Sequence, residues 1–228
     1  MQIGVDGCRA GWLTAIDLAE GPIIQMYPNF SDIIRDYPGA TIAVDMVVGL
    51  PAQTLRGGRA ADRRARRLLK GKGSSVFSAP CRAALYASTY EAAAEISRSS
   101  SEHSLAFSIQ VYNIFPKIRE LDQCLQMHPN AAEHIYETHP ELCFKELHPE
   151  KKCAPSKHSK QGLEWRIKLL NAAGLTVPTS SSNGHKTHDL LDCLACLWTA
   201  RRIKRDEHQQ VLQCSVLDET GLAMNIAW

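Results

Sequence analysis

Two short apolar segments, each ending in an aspartate, constrain the fold of this chain most strongly. Residues 2–7 are Gln-Ile-Gly-Val-Asp-Gly, and residues 41–45 are Thr-Ile-Ala-Val-Asp. Apolar runs rich in β-branched residues are typical of strands that are covered on both faces. If the two strands are parallel neighbours joined by a right-handed crossover, Asp6 and Asp45 meet at one edge of a sheet. Taken singly, either aspartate is also compatible with the start of a turn.

The pattern around these segments predicts an α/β fold with a central mixed five-stranded sheet. The first strand is predicted to turn at Asp6-Gly7, because Asp-Gly is a turn pair and Gly tolerates a positive φ angle. Residues 11–18 and 23–27 are predicted to follow as strands, and their short links imply an antiparallel meander. Residues 133–138 are predicted to add a fifth strand, parallel to the fourth.

Helices are predicted to flank this sheet. The first covers residues 32–37, with Ser31 as its N-cap. Helices within about 52–130 are interpreted as an insertion into a single domain that spans residues 1–228, a length that one well-buried domain can have. The other predicted elements are helices over 59–69, 79–101 and 162–173, a helical segment over 104–126 with a kink or break at Pro116, a Ser-rich linker at 179–184, and a C-terminal hairpin of residues 211–216 and 222–228.

The composition indicates a soluble globular protein of the cytoplasm. Hydrophobic residues make up 44% of the chain, and no apolar run approaches the roughly 20 residues that cross a bilayer, so no membrane partner is expected. We expect no secretion signal, and hence free thiols for the eight cysteines. Cys193 and Cys196 form a C-x-x-C within a helical segment, where packing is a better interpretation than redox or zinc chemistry.

A basic segment follows the fourth predicted strand. Between residues 56 and 72 the chain carries eight Arg and Lys residues against one acid. On a helix, four of them share a face that would attract phosphates: Arg59, Arg63, Arg66 and Arg67. Lys157 and Lys160, from a basic loop at 151–160, are predicted to bind a nucleic-acid backbone with them. A solvated basic helix is the plainer alternative.

A second acidic pair lies near the C-terminus, in the segment 188–198. On a helix, Asp189 and Asp192 lie together, opposite an apolar face formed by Leu191, Leu194 and Trp198. The positions around them are largely apolar, which predicts a helix buried nearly all round, with both acids at its first turn. Capping of free backbone amides is the structural alternative for acids at that position.

The folding pattern predicts that these acids converge. Asp6, Asp45, Asp189 and Asp192 would share one edge of the sheet, and Glu141 would arrive near it after the fifth strand. Two carboxylates about 4 Å apart repel by roughly 4 kcal/mol at an effective dielectric constant near 20. Oxygen ligands of this kind select Mg²⁺ or Mn²⁺, and pairs of such ions are suited to phosphodiester hydrolysis.

Several motifs together resemble an uncharacterised bacterial and archaeal family of predicted RNase H-like nucleases, which is placed near the RuvC resolvases and the YqgF group. The resemblance implies an RNase H-like fold in which Asp6 and Asp45 are the strand carboxylates, Asp189 and Asp192 are the D-x-x-D of the final helix, and Glu141 is a further family acid. His188 stands where we expect many relatives to carry another aspartate. The motifs are Gly4 to Trp12, Val44-Asp45 with Gly49-Leu50-Pro51, the basic run from Arg59 to Arg66, Ser74-Ser75-Val76-Phe77, His139-Pro140-Glu141 and Asp189-x-x-Asp192.

The sequence therefore favours a metal-dependent nuclease that hydrolyses phosphodiester bonds of DNA or RNA by a two-metal carboxylate mechanism. A nucleotide-binding phosphotransferase of the actin-like type is a first alternative, although that fold repeats its sheet and this chain shows no second Asp-Gly strand. A catalytically silent nucleic-acid-binding module is a second alternative. RuvC-type enzymes are dimers, so a homodimer is compatible with the resemblance.

Overall fold

The computed structural model describes residues 1–178 and 186–228, so the predicted linker at 179–184 lies outside the described residues. A five-stranded sheet has the order β3-β2-β1-β4-β5. Its strands are β1 (Gln2–Cys8), β2 (Gly11–Ile16), β3 (Ile23–Tyr27), β4 (Thr41–Asp45) and β5 (Ile135–Glu137). The first three strands pair in antiparallel fashion, whereas β4 is parallel to β1 and β5 is parallel to β4. The predicted mixed α/β sheet is thereby confirmed.

Helices and loops make up the connection between β4 and β5, which the structure describes throughout, and a long helix follows near the C-terminus. The helices are α1 (Phe30–Asp36), α2 (Ala60–Leu68), α3 (Arg82–Leu85), α4 (Tyr90–Ser99), α5 (Ile109–Tyr112), α6 (Phe115–Met127), α7 (Pro129–Ala132), α8 (Pro140–Leu147), α9 (Lys160–Ala172) and α10 (Thr187–Lys204), with one 3-10 turn at Gly73–Ser75.

Three local predictions were wrong. The first strand does not turn at Asp6-Gly7, because Gly7 pairs with Trp12 and β1 continues to Cys8 before the chain reverses. Helix α1 begins at Phe30, with Asn29 rather than Ser31 in the N-cap position. The helix predicted over 79–101 is divided into two shorter ones. The segment 104–126 is broken as expected near Pro116, and this proline lies in the first turn of α6, where a missing N–H costs nothing.

Alternation along β1 and β4 divides the sheet into two faces. Ile3, Val5 and Val44 pack into one hydrophobic cluster. Residues of the opposite parity turn toward α10, where Ala43 packs against Cys196. Because successive side chains in a strand point to opposite faces, Asp6 and Asp45 share the face that α10 covers.

Helix α10 lies unusually close to β1 because of one glycine. A Cβ atom on Gly4 would fall 2.1 Å from the backbone nitrogen of Leu197 and 2.3 Å from the carbonyl oxygen of Cys193. The side chains from Leu190 through Leu197 are all buried, as the sequence predicted for a helix covered nearly all round. The close approach sets the position of the first turn of α10 over the carboxyl end of the sheet.

The C-terminal hairpin is shorter than predicted and consists of β6 (Val216–Leu217) and β7 (Ala223–Met224). After it, the chain runs beside β5, where Ala227 forms bridges to Thr138 and Gln210. In the part of the chain that the structure describes, no helix combines the length and apolar character needed to span a membrane.

Candidate active site

Asp6 and Asp45 are register partners at the ends of neighbouring parallel strands. Both side chains point to the face that α10 covers, because they alternate with buried residues of the opposite face. Neighbouring strands lie about 4.8 Å apart, so the two carboxyl groups are direct neighbours. The predicted meeting of these aspartates at one edge of the sheet is thus what the register produces.

Helix α10 adds a third carboxylate. Asp192 is 3% exposed and lines the same cavity as Asp6 and Asp45. Asp189, one turn earlier, does not line that cavity, and its carboxylate lies 3.2 Å from the Nε2 atom of His188. Asp189 is still close enough to raise the pKa of Asp6. The predicted acidic pair therefore separates into one inner and one outer carboxylate.

The cavity has a volume of about 320 Å³ and is lined by both acidic and apolar side chains. Glu141, in the first turn of α8, lines it because β5 runs parallel to β4 and delivers α8 to the same edge. Two further lining acids, Asp62 and Glu137, are paired with Arg59. The apolar lining includes Phe77. Phe77 is 45% exposed, which is high for a phenylalanine.

Burial and mutual repulsion disfavour the charged forms of the three aspartates. Burial raises the pKa of Asp6 well above its ordinary value, and the nearby Asp45, Asp192 and Asp189 raise it further. Burial also raises the pKa of Asp45, to about 6, with Asp192 adding to the effect while His139 and Lys157 oppose it. The pKa of Asp192 is raised by burial too, although Lys157 works against this shift. Such a cluster has a strong affinity for cations.

Lys157 supplies part of the positive charge that this acidic cluster favours. The Nζ atom of Lys157 lies 2.6 Å from Oδ2 of Asp192. Burial opposes the charge of this ammonium, yet the carboxylates of Asp192, Asp45 and Asp6 raise the pKa of Lys157 above its ordinary value. Lys157 was predicted to bind a nucleic-acid backbone, and in this structure its partner is instead a carboxylate of the cavity.

Glu141 is held by two cations that the sequence did not single out. Nη2 of Arg166 lies 2.6 Å from Oε1 of Glu141, and Nζ of Lys72 lies 3.1 Å from Oε2. Arg166 is fully buried, and both cations also donate hydrogen bonds to the carbonyl oxygen of Pro155. The partners are 25 and 69 residues away from Glu141 along the chain, so no local pattern could have revealed them.

His139 belongs to one of the sequence motifs, but its role in the site was not predicted. Its Nδ1 atom accepts a hydrogen bond from the backbone N–H of Glu141, which makes it the N-cap of α8. Because Nδ1 accepts, the proton of the neutral ring is on Nε2, which lies 3.2 Å from the carbonyl oxygen of Ser75. The ring therefore joins α8 to the loop that carries Phe77.

The prediction that Arg59 belongs to an exposed phosphate-binding face was wrong. Arg59 is 2% exposed, and its guanidinium lies 2.6 Å from both Asp62 and Glu137. It also donates hydrogen bonds to the carbonyl oxygens of Val48 and Gly49. This side chain fixes α2 to the sheet, since a buried guanidinium needs partners for all its donors.

The other predicted basic residues are divided between structure and surface. Arg63 and Arg66 are half-buried and donate to the carbonyl oxygens of Gly58 and Gly57. Lys160 is exposed, with Glu164 3.8 Å away. Arg67 is exposed and lines an open groove of about 440 Å³ together with Leu68, Lys70, Lys145, Lys151 and Cys153. Among the residues of this groove, only Arg67 was predicted to contact nucleic acid.

The cysteines of α10 pack the helix on the sheet. Cys193 and Cys196 are buried free thiols whose pKa values burial raises well above the ordinary value, as suits packing residues. Among residues 1–178 and 186–228, no group of three or more His, Cys, Asp or Glu side chains is arranged so that it could hold a metal ion. Asp6, Asp45, Asp192 and Glu141 line the same cavity, but their side chains are not arranged as a metal-binding cluster.

Comparison with known proteins places the chain in a family. A family model described as "Protein of unknown function (DUF429)" matches residues 4–214. The chain belongs to the DUF429 family. Neither the curated proteins nor the solved structures gave a match. Membership in DUF429 agrees with the expected uncharacterised family, and the expected relationship to RNase H-like nucleases stays a prediction.

Proposed function

We propose that this DUF429 protein is an RNase H-like, metal-dependent nuclease that hydrolyses phosphodiester bonds of nucleic acid. Asp6, Asp45, Asp189 and Asp192 are proposed to bind Mg²⁺ or Mn²⁺. The observation that carries the proposal is that Asp6, Asp45 and Asp192, from three separate elements, line one cavity in which burial and mutual repulsion raise all their pKa values. A fold gains no stability from such repulsion, so a bound cation is the physical reason to keep it.

The donor set suits a hard divalent ion. Carboxylate oxygens are the ligands that Mg²⁺ and Mn²⁺ prefer, and Mg²⁺ retains several waters when few carboxylates reach it. When bound, such an ion would activate water and stabilise the leaving oxygen of a phosphodiester. The chain's own contribution is to hold Asp6, Asp45 and Asp192 on rigid elements. Asp189 is proposed as a further ligand from outside the cavity lining. Glu141 is already neutralised by Lys72 and Arg166, so we assign it to positioning rather than to catalysis.

Two surfaces favour nucleic acid over a small phosphodiester. The cavity lining includes Phe77, an exposed aromatic ring, and unpaired bases stack on such rings. The basic groove holds four cations and no acid among its lining residues. The groove and the cavity both draw on α8, where Lys145 follows Glu141 by one turn. A phosphate backbone that follows the groove would bring a phosphodiester to the carboxylates.

Replacement of single carboxylates tests the proposal. Asp6→Asn and Asp192→Asn are expected to reduce Mg²⁺- or Mn²⁺-dependent cleavage of a panel of labelled DNA and RNA substrates at least a hundredfold, because each removes a charged ligand. Glu95→Gln, an exposed acid on α4, is the matched control and should retain wild-type activity. Cleavage that persists unchanged in Asp6→Asn and Asp192→Asn would exclude these carboxylates as the catalytic groups.

A nucleic-acid-binding module without catalysis is a second candidate, favoured by the ion pair between Lys157 and Asp192. An ammonium that permanently neutralises Asp192 would leave the site without a metal. This candidate predicts that oligonucleotides bind with the same affinity in EDTA and in Mn²⁺. The nuclease proposal predicts tighter binding in Mn²⁺ with a slowly cleaved phosphorothioate substrate.

A further inference from the structure

Among the described residues, Lys157 is the one cation that forms an ion pair with any of Asp6, Asp45 and Asp192. Its Nζ atom is 2.6 Å from Asp192, and its charge also acts on Asp6 and Asp45. The side chain is 36% exposed, whereas that of Asp192 is 5% exposed. The ammonium therefore lies against a buried carboxylate of the cavity, while part of the Lys157 side chain faces solvent.

The backbone that carries Lys157 is firmly anchored, although its side chain is not enclosed. Arg166 and Lys72 both bind the carbonyl oxygen of Pro155 while they hold Glu141. A Cβ atom on Gly162 would fall 1.9 Å from the carbonyl oxygen of Ser156, so α9 packs tightly against this loop. The Glu141 cluster thus fixes the point from which the Lys157 side chain extends.

We propose that Lys157 competes with the divalent metal for Asp192 and is released when a substrate phosphate draws its ammonium away. This inference rests on the proposed metal-dependent function and adds a coupling between metal and substrate. The geometric basis is that the ammonium of Lys157, 2.6 Å from Oδ2 of Asp192, occupies a position that a metal ion bound to this oxygen would need. The released ammonium binds the phosphate, since a lysine that leaves one anion pairs readily with another.

Coupling of this kind is reciprocal. If phosphate binding removes Lys157 from Asp192, nucleic acid raises the affinity for metal, and metal raises the affinity for nucleic acid by the same factor. The site then acquires its metal mainly when a substrate is present. An ion pair that only fastened the loop to α10 would produce no such linkage.

Mn²⁺ binding measured by calorimetry tests the competition without any cleavage assay. Lys157→Met is expected to bind Mn²⁺ at least tenfold more tightly than the wild type, because the competing charge is gone. Lys157→Arg retains the charge and should bind as weakly as the wild type. Lys168→Met removes the same charge from an exposed position on α9 and should stay within twofold of the wild type.

Coupling is tested with a single-stranded phosphorothioate 12-mer as the probe. The oligonucleotide should tighten Mn²⁺ binding to the wild type at least fivefold, and it should have little effect on Lys157→Met. Lys157→Gln serves as a second uncharged variant in case Lys157→Met folds poorly, with circular dichroism as the check. Mn²⁺ binding to both uncharged variants that is absent, unchanged or weaker than to the wild type would overturn the inference. Loss of cleavage concerns the proposed nuclease alone, so the two failures are distinguishable.

Discussion

A buried carboxylate loses much of its hydration, and the raised pKa values of Asp6, Asp45 and Asp192 are the result. The pKa of Asp45 is raised to about 6 by burial and by Asp192, and that of Asp6 is raised by burial and by Asp45. At the same scale, Arg59 shows that a basic residue in a basic run can be wholly structural. Its guanidinium forms buried ion pairs with Asp62 and Glu137.

The raised pKa of Asp45 predicts a pH-dependent stability. The folded protein keeps this proton up to about pH 6, while the unfolded chain releases it near 3.8. Protons bind more tightly to the folded state, so this contribution to stability is full below pH 3.8 and is lost as the pH rises through 6. Asp45→Asn has no carboxyl group to ionise, so it does not lose this stability as the pH rises. It should be more stable than the wild type at pH 7.5 by on the order of 1–3 kcal/mol.

Urea unfolding in EDTA at pH 5 and pH 7.5 measures this difference. The advantage of Asp45→Asn over the wild type should be roughly half as large at pH 5 as at pH 7.5, because part of the loss has already occurred between pH 3.8 and pH 5. Asp36→Asn, on the surface-exposed end of α1, is the control and should show no comparable change between the two pH values. An advantage that does not depend on pH would contradict a proton-linked origin.

At the scale of elements, the contact between α10 and β1 determines where the acids meet. Helix α10 crosses the sheet over β1 and β4, and Gly4 allows its backbone to approach within van der Waals distance. Cys193 adds hydrogen bonds from its thiol toward the carbonyl oxygens of Gly4 and Leu13. Asp192 directly precedes Cys193 in α10, so the same contact fixes the third carboxylate over Asp6.

Gly4→Ala is expected to destabilise the protein by about 3 kcal/mol or more, because the added methyl group meets backbone atoms that cannot move aside. Gly7→Ala is the matched control on the same strand. Its nearest contact would be the flexible methyl end of Met46, 3.0 Å away, so it should cost much less. Thermal and urea unfolding compare the two variants, and equal destabilisation would contradict the importance of the β1–α10 contact.

For the whole molecule, the distribution of charge is more informative than its sum. The net charge is only +2, yet Arg67, Lys70, Lys145 and Lys151 line one groove beside an acidic cavity. Lys145 also donates to the carbonyl oxygen of Leu68 at the end of α2, so part of its charge offsets a helix terminus. Arg67 and Lys70 are exposed and are therefore the better probes of phosphate binding.

Arg67→Gln and Lys70→Gln are each expected to weaken oligonucleotide binding. Each should also reduce the slope of log K against log salt by about 0.7–0.9 for every phosphate that the protein no longer neutralises. Lys204→Gln removes an exposed charge at the opposite end of α10 and should leave the slope unchanged. Fluorescence anisotropy across a salt titration measures the slopes. Equal slopes for all the variants and the wild type would show that the groove does not bind nucleic acid.

Some features followed from the sequence alone, because they are local or depend on periodicity. The apolar strands, their aspartate ends and the buried helix at 188–198 all express patterns that repeat within a few residues. The parallel pairing of β4 and β5 followed from the order of the elements along the chain. These patterns were sufficient to bring Asp6, Asp45 and Asp192 to one edge. They also predicted the helical segments between β4 and β5, although turn positions and helix breaks shifted.

Other features were decided only by the tertiary structure. The burial of Arg59, the cations around Glu141 and the position of Lys157 on Asp192 depend on partners far apart in the chain. The separation of Asp189 from the cavity depends on how α10 lies over the sheet. A side chain's charge is visible in a sequence, but whether solvent, an ion pair or a ligand satisfies that charge depends on which other groups folding brings within a few ångströms of it.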